Sequence, residues 1–225
     1  WYVVKDVVGE CFTCREDVYF SILPTATPYA RNAIFSGLMP KQLSEMFPDC
    51  WVDESEEEGK NLHEELFIKS HLERKKRNCS FSYHKINRNR EGEKLIARFA
   101  EIEKYDLNVL VFNFIDMLSH ARTESRMIRE LAPDESAYRS LTKSWFLHSP
   151  LPALLLKIAE RGYKVVLTTD HGSIRVKRGV KVLGDRETGA CLRYKLGKNL
   201  GYDPKRVFDI IRPENAGLPA PNMST

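Results

Sequence analysis

The chain has 225 residues, enough for one domain with a sizeable core, and its 42% hydrophobic and 29% charged residues are those of a soluble globular protein. A net charge of +4 is too small to argue for nucleic acid by itself. No run of 18 or more apolar residues is present, so nothing is read as crossing a membrane.

The first residues, WYVVKDVVGE, lack the basic stretch, apolar core and cleavage site of a signal peptide. They also lack an initial Met, so the chain is read as part of a longer protein. Five cysteines, at 11, 14, 50, 79 and 191, are an odd number without a secretory signal. That argues for free thiols, a reducing compartment and a cytoplasmic protein. Cys11-x-x-Cys14 could be half a zinc site or a redox pair. No second CxxC or finger-spaced His pair accompanies it, which favours incidental thiols.

In chain order, residues 1–10 read as a helix and residues 11–17 as a link. Residues 17–23 (DVYFSIL) form a short apolar run, read as a buried strand ended by Pro24. Thr27-Pro28 then opens a helix, with Thr as N-cap and Pro in the first turn. Ala30, Ile34, Phe35 and Leu38 recur at helical spacing, and Gly37 with Pro40 stops the helix. A hydroxyl at that helix start, with Arg31 one turn on, suits a phosphate, whereas the plain alternative makes Thr27 only a cap.

Residues 41–47 are a short amphipathic segment, and DESEEE within 49–59 reads as a solvated acidic loop. Residues 61–77 read as a helix with Leu62, Leu66, Phe67 and Ile68 as its apolar side, and 79–86 (CSFSYHKI) as a strand. The stretch 41–92 is read as an insertion or cap. Within it, residues 74–90 mix Arg and Lys with Phe81, Tyr83 and His84. Such interleaving can bind single-stranded nucleic acid, although a solvated helix end before a half-buried strand is the favoured reading.

Residues 93–104 read as a helix and 107–115 (LNVLVFNFI) as a strand buried on both faces. Two amphipathic helices follow at 134–147 and 149–161, then Gly162 and a second buried strand at 163–169 (YKVVLTT). Helix, glycine, apolar strand and polar motif at the strand end is the rhythm of a parallel α/β sheet, which binds ligands at the strands' carboxyl ends. Residues 177–184 are basic, with Gly179 and Gly184 marking turns. In 192–199, Arg193, Lys195 and Lys198 could meet a polyanionic substrate or form a plain surface strand. Residues 204–211 read as helix then strand, and the Pro- and Asn-rich end as a loop.

Three stretches carry chemistry. SILPTATPYARNAIFSGLMP (21–40) offers Thr27 after a strand, NFIDMLSH (113–120) sets Asp116 and His120 four apart, and TTDHG (168–172) joins Asp170 to His171. If a helix begins near Asp116, Asp116 and His120 face the same way and suit zinc. Taken singly, each stretch also has a plain reading: a cap, a surface histidine, a turn.

Together, and in this order, the three stretches resemble the alkaline phosphatase superfamily. They look most like its PglZ-domain branch, as in PorX-type response regulators. The resemblance implies an α/β fold with a mostly parallel sheet flanked by helices and a small insertion. Thr27 matches the second Thr of a Pro-Thr-x-Thr pattern, the superfamily nucleophile, and Gly37 to Pro40 its Gly-Leu-x-Pro. The resemblance implies two zinc ions, with manganese or magnesium as alternatives. Asp116 and His120 would hold one, and Thr27, Asp170 and His171 the other. Arg31, Asn32, Arg193 and Lys195 would contact substrate. The implied activity is phosphodiester hydrolysis, on a nucleotide or oligonucleotide, through a phosphothreonine.

Resemblance to PorX-type proteins further implies the effector part of a two-component regulator of type IX secretion and gliding. Its partners would be a sensor kinase and a sigma factor or secretion components. The superfamily's early Asp has no match before Thr27, and no His follows His171 to complete the first metal. His148 comes in the wrong order, and His63, His71 and His84 fall in the cap. The chain is therefore expected to be a central piece, without the receiver domain and both domain ends. A metal-retaining binding module and a phosphomutase share these ligands and stay open as alternatives.

Overall fold

The computed structural model describes residues 1–52, 61–173, 176–184 and 191–220. The acidic loop expected at 49–59 lies, from residue 53, outside them. The helices in chain order are α1 (Lys5–Gly9), α2 (Thr27–Ser36), α3 (Pro40–Met46), α4 (Glu64–Arg74), α5 (Asn89–Ala97), α6 (Phe99–Ile102), α7 (Phe114–Glu124), α8 (Arg126–Leu131), α9 (Glu135–His148) and α10 (Leu151–Glu160). The strands are β1 (Phe81–Ile86) and β2 (Leu107–Phe112). The chain divides into two compact units, Trp1–Val18 with Cys79–Leu167 and Tyr19–Asn78 with Thr168–Thr225.

In the first unit β1 and β2 pair in parallel, from Phe81 opposite Leu107 to Ile86 opposite Phe112. Polar side chains fix that register at three heights. Asp106 Oδ2 accepts from Ser80 N and Oγ at 2.8 and 2.7 Å, Ser82 Oγ donates to Asn108 Oδ1 at 2.6 Å, and Asn113 Nδ2 donates to Asn87 Oδ1 at 2.6 Å. Each pair is 26 residues apart, so a one-residue slip would break all three. The crossover through α5 and α6 closes a core of Ile86, Leu95, Phe99, Ile102 and Leu154, with Leu110 and Phe112 of β2 against it. Burying each large apolar side chain contributes about 1.5–3 kcal/mol.

The last two helices form as their sequence directs. Asp134 caps α9 by accepting from Ala137 N at 2.8 Å. Leu151, Leu154, Leu155 and Ile158 give α10 an apolar stripe, which packs on both Leu154's core and a second cluster of Val8, Phe146 and Leu155.

The second unit is built on α2, α3 and α4. The apolar side expected on α4 shifts: Leu62 and Leu66 are exposed, and the inward stripe is Glu64, Phe67, Ile68 and His71. Those positions follow the i, i+3, i+4, i+7 rule, with an acid at one end. On α2, Ile34 is exposed, while Tyr29, Ala30, Arg31, Asn32 and Ser36 are buried. His71 Nδ1 donates to Phe35 O at 3.1 Å, and Arg74 donates to Ser36 O, tying α4 to the end of α2. Gly37 ends α2 at φ +62, and a Cβ there would lie 2.5 Å from His71 Nε2. Gly37→Ala is therefore expected to destabilise the second unit by about 1–3 kcal/mol, read from chemical denaturation.

Several expected elements are replaced. Residues 17–23 and 163–169 make no strand among the described residues, and 204–211 is neither helix nor strand. The stretch 192–199 is no strand either. An apolar run shows that a segment can be covered; it does not supply the neighbour a ladder needs. β2 is half-buried rather than buried on both faces, as follows from a sheet of two strands with both of them edges. The α/β class holds, with a small parallel sheet. Residues 79–92 belong to the first unit, where β1 pairs along its whole length with β2, whereas residues 41–78 belong to the second. The basic and aromatic stretch 74–90 is thus divided between the units. All five cysteines are free, and no described helix is long and apolar enough to cross a membrane.

Candidate active site

The site lies in the second unit, where α2 begins. Its N-cap is Ala26, in extended conformation with no side-chain cap bond, and Thr27 and Pro28 are the first helical residues. Thr27 is therefore not the cap that its residue type suggests. Its hydroxyl instead meets His171 Nε2 at 3.0 Å. His171 Nδ1 stands 3.2 Å from Gly172 O, and a carbonyl only accepts, so Nδ1 carries the proton. In the neutral ring Nε2 then presents its lone pair, and the Thr27 hydroxyl donates to it.

The TTDHG stretch has no ladder, yet four successive carbonyls are satisfied by side chains. Tyr19 Oη donates to Thr169 O, Ser21 Oγ donates to Asp170 O at 2.7 Å, and Thr169 Oγ1 donates to His171 O at 2.8 Å. Gly172 O takes Arg193 Nη2 at 2.8 Å besides the histidine ring. Arg193 Nη1 donates to Thr25 O and Oγ1 at 3.0 and 3.2 Å. One guanidinium thus joins the turn before Thr27 to the loop of His171. Arg193, expected to contact substrate, makes these contacts within the site and is itself exposed.

Asp170 is nearly buried, and its Oδ1 accepts from His171 N at 3.1 Å. Its Oδ2 is buried without a hydrogen bond. That oxygen lies 3.9 Å from His171 Nε2 and 3.4 Å from Arg31 Nε. Arg31 Nη1 in turn lies 3.5 Å from Glu64 Oε1. Arg31 is therefore a buried cation between two carboxylates, not a side chain held out to a substrate. Asn32 is also buried: its Nδ2 donates to Pro28 O at 2.8 Å, and its Oδ1 has no partner. Lys195 is half-buried.

A threonine hydroxyl, a histidine and an adjacent part-buried aspartate converge at the head of a helix. Over residues 7–224 the sequence matches the family described as the BREX system PglZ alkaline phosphatase-like domain. The chain belongs to the PglZ family. No curated protein gives a match.

The PglZ assignment makes a metal the natural question for these residues. The donor set fits one: Asp170 Oδ2 is a buried acceptor without a hydrogen bond, and His171 Nε2 holds a lone pair with its other nitrogen on a carbonyl, the arrangement usual for a metal-bound histidine. With Thr27 Oγ1 they make three oxygen and nitrogen donors. No group of three or more His, Cys, Asp or Glu suited to a metal occurs among the described residues. Asp116 and His120 belong to the first unit. They sit one turn apart on α7, with His120 Nε2 3.7 Å from Asp116 Oδ1 and side chains 69% and 34% exposed. The shared face expected of them is present, as an open pair.

Sequence reasoning missed Glu64, Tyr19 and Ser21. Glu64 carried a signal, since it falls in register with Phe67, Ile68 and His71, while Glu65 beside it is exposed. Tyr19 and Ser21 alternate around the fully exposed Phe20, a spacing that would put them on one side of an extended run.

Proposed function

We propose that this PglZ chain is a metal-dependent phosphoesterase, in its fuller form a zinc-dependent phosphodiesterase acting on nucleotides or oligonucleotides. The observation that carries the reading is Thr27 Oγ1 and His171 Nε2 at 3.0 Å, beside the unsatisfied Asp170 Oδ2. Thr27, Asp170 and His171 would hold one ion, and Asp116 with His120 are the pair for a second. Bound there, zinc supplies Lewis-acid stabilisation of an alkoxide and of the phosphoryl oxygens.

The chain's residues do the rest. Thr27 Oγ gives up its proton to solvent and forms a bond to phosphorus as the bond to the leaving oxygen breaks and that oxygen takes up a proton; water then cleaves the phosphothreonine, releasing the phosphoryl group and restoring the hydroxyl. The positive end of α2 favours the charge that develops beside Thr27. Arg193 keeps Thr25 and Gly172, and so the nucleophile and His171, in one frame. The setting as effector of a PorX-type regulator of type IX secretion rests on the resemblance of the three motifs.

A second reading is a binding module that keeps the metal and acts on a protein partner, such as a sigma factor or secretion component. It draws on Arg31 and Arg193 both being engaged within the site, which leaves fewer groups to grip a phosphoester. The test is hydrolysis of bis(p-nitrophenyl) phosphate by the full-length protein after chelation. Restoration of turnover by zinc is the expected result. Bound zinc without turnover on this or other phosphoesters would replace the enzyme with the module.

A further inference from the structure

We propose that Arg31 and Glu64 are positioning residues for the Asp170 carboxylate, with Glu64 fixing Arg31 and Arg31 fixing Asp170 toward the cation that Thr27 and His171 would share. The inference rests on the metal-site reading above and adds two residues to it. Glu64 is 1% exposed and Arg31 9%, so neither is a solvated surface charge. Such groups are retained in an interior only when paired.

The geometry divides the guanidinium's work. Nε stands 3.4 Å from Asp170 Oδ2 and Nη1 3.5 Å from Glu64 Oε1, on different edges of one planar group. These are ion-pair separations, longer than the roughly 2.7–2.9 Å of a charge-assisted hydrogen bond. Asp170 Oδ2 therefore keeps its acceptor capacity while its place is set by a neighbouring charge. A lysine, with a single point charge, cannot sit against both acids in this way. Glu64, Arg31 and Asp170 together carry one net negative charge, which a divalent cation would reverse in sign.

Charge alone and positioning predict opposite effects of removing Arg31. A cation close to a metal site repels the metal, so through-space electrostatics makes Arg31→Met bind zinc more tightly. Loss of positioning makes it bind more weakly, by about 10–100-fold, the usual cost of an outer-shell change. Arg31→Lys keeps the charge and isolates the geometry, and Glu64→Gln keeps the shape and loosens only the far end.

The experiment is zinc titration of the full-length protein by calorimetry, with cobalt(II) absorption as a spectroscopic measure of the ligand field. The component lost in Asp170→Asn defines this site. Arg31→Lys and Glu64→Gln are each expected to weaken that component by about 10–100-fold and alter its cobalt spectrum. In the double variant Glu64→Gln adds little, because the chain of contacts is already broken. Wild-type affinity and spectrum in Arg31→Lys and Glu64→Gln, with the site still lost in Asp170→Asn, would overturn the positioning role and leave the metal reading intact. Tighter zinc binding in Arg31→Met would overturn it in favour of plain repulsion. If wild-type protein shows no component that depends on Asp170, the metal reading falls and takes this inference with it. Should Arg31 variants fail to fold, Glu64→Gln decides alone, by weakened or unchanged affinity.

Discussion

Thr27→Ala is expected to abolish phosphodiester hydrolysis, with kcat falling at least about 10³-fold, while Thr27→Ser retains measurable turnover. The same variant is expected to keep its stability to within about 0.5 kcal/mol by denaturant titration. The two halves belong together. Were Thr27 a helix cap, its loss would cost about 0.5–2 kcal/mol and have no reason to touch catalysis. The cap position belongs to Ala26, and the Thr27 hydroxyl points to His171 Nε2 instead. A stable protein without turnover would support the nucleophile. A destabilised protein with normal turnover per folded molecule would return Thr27 to the role of cap. Trapping supplies an independent check, since wild-type protein quenched in acid during turnover should carry phosphate on Thr27.

How far this arrangement was legible in the sequence differs from residue to residue. The helices were legible because their rules are local. Asp134 three residues before Ala137, Gly37 after Ser36, and leucines at helical spacing in α10 each act within a few residues. Parallel pairing of β1 with β2 needed a partner 26 residues away, and an apolar run names no partner. That is why 107–115 is readable as a strand but not as half-buried, and why 17–23 and 163–169 read as ladder strands. At the end of the second run and just beyond it, the carbonyls of Thr169 and Asp170 are held by side chains of Tyr19 and Ser21.

At the site, Thr27 and the Asp170-His171 pair, which the structure brings together, could be picked out because motif order carries chemistry. The polar side chains that set them in place could not. Arg31 and Arg193 look in sequence like residues for a phosphate, because a guanidinium serves an anionic substrate and a buried carboxylate equally well. Only burial and distance separate the two uses. Arg31 sits between Glu64 and Asp170, and Arg193 on the carbonyls of Thr25 and Gly172. Both side chains thus make their contacts within the site, Arg31 on two carboxylates and Arg193 between the turn before Thr27 and the loop of His171.

Asp170→Asn is expected to remove zinc from the Thr27 site and hydrolysis with it, yet leave the fold standing. Its Oδ2 is buried without a hydrogen bond, so the amide replaces an anionic donor with a neutral one at the point where a cation would sit. The loss of zinc affinity should therefore exceed the roughly 10–100-fold of an outer-shell change. Stability behaves differently. Removing one carboxylate still leaves Arg31 paired with Glu64 Oε1 at 3.5 Å, so no buried charge is stranded. The backbone around residue 170 also stays tied, because Ser21 Oγ holds its carbonyl at 2.7 Å whatever the side chain. Glu64→Gln in the Asp170→Asn background is the contrasting case, since it takes both neighbouring carboxylate charges from the Arg31 guanidinium and should lower the denaturation midpoint well below that of either single variant. Zinc content after gel filtration that is the same in Asp170→Asn as in wild type would mean that no bound ion depends on Asp170, and the metal reading of the Thr27 site would fall with it.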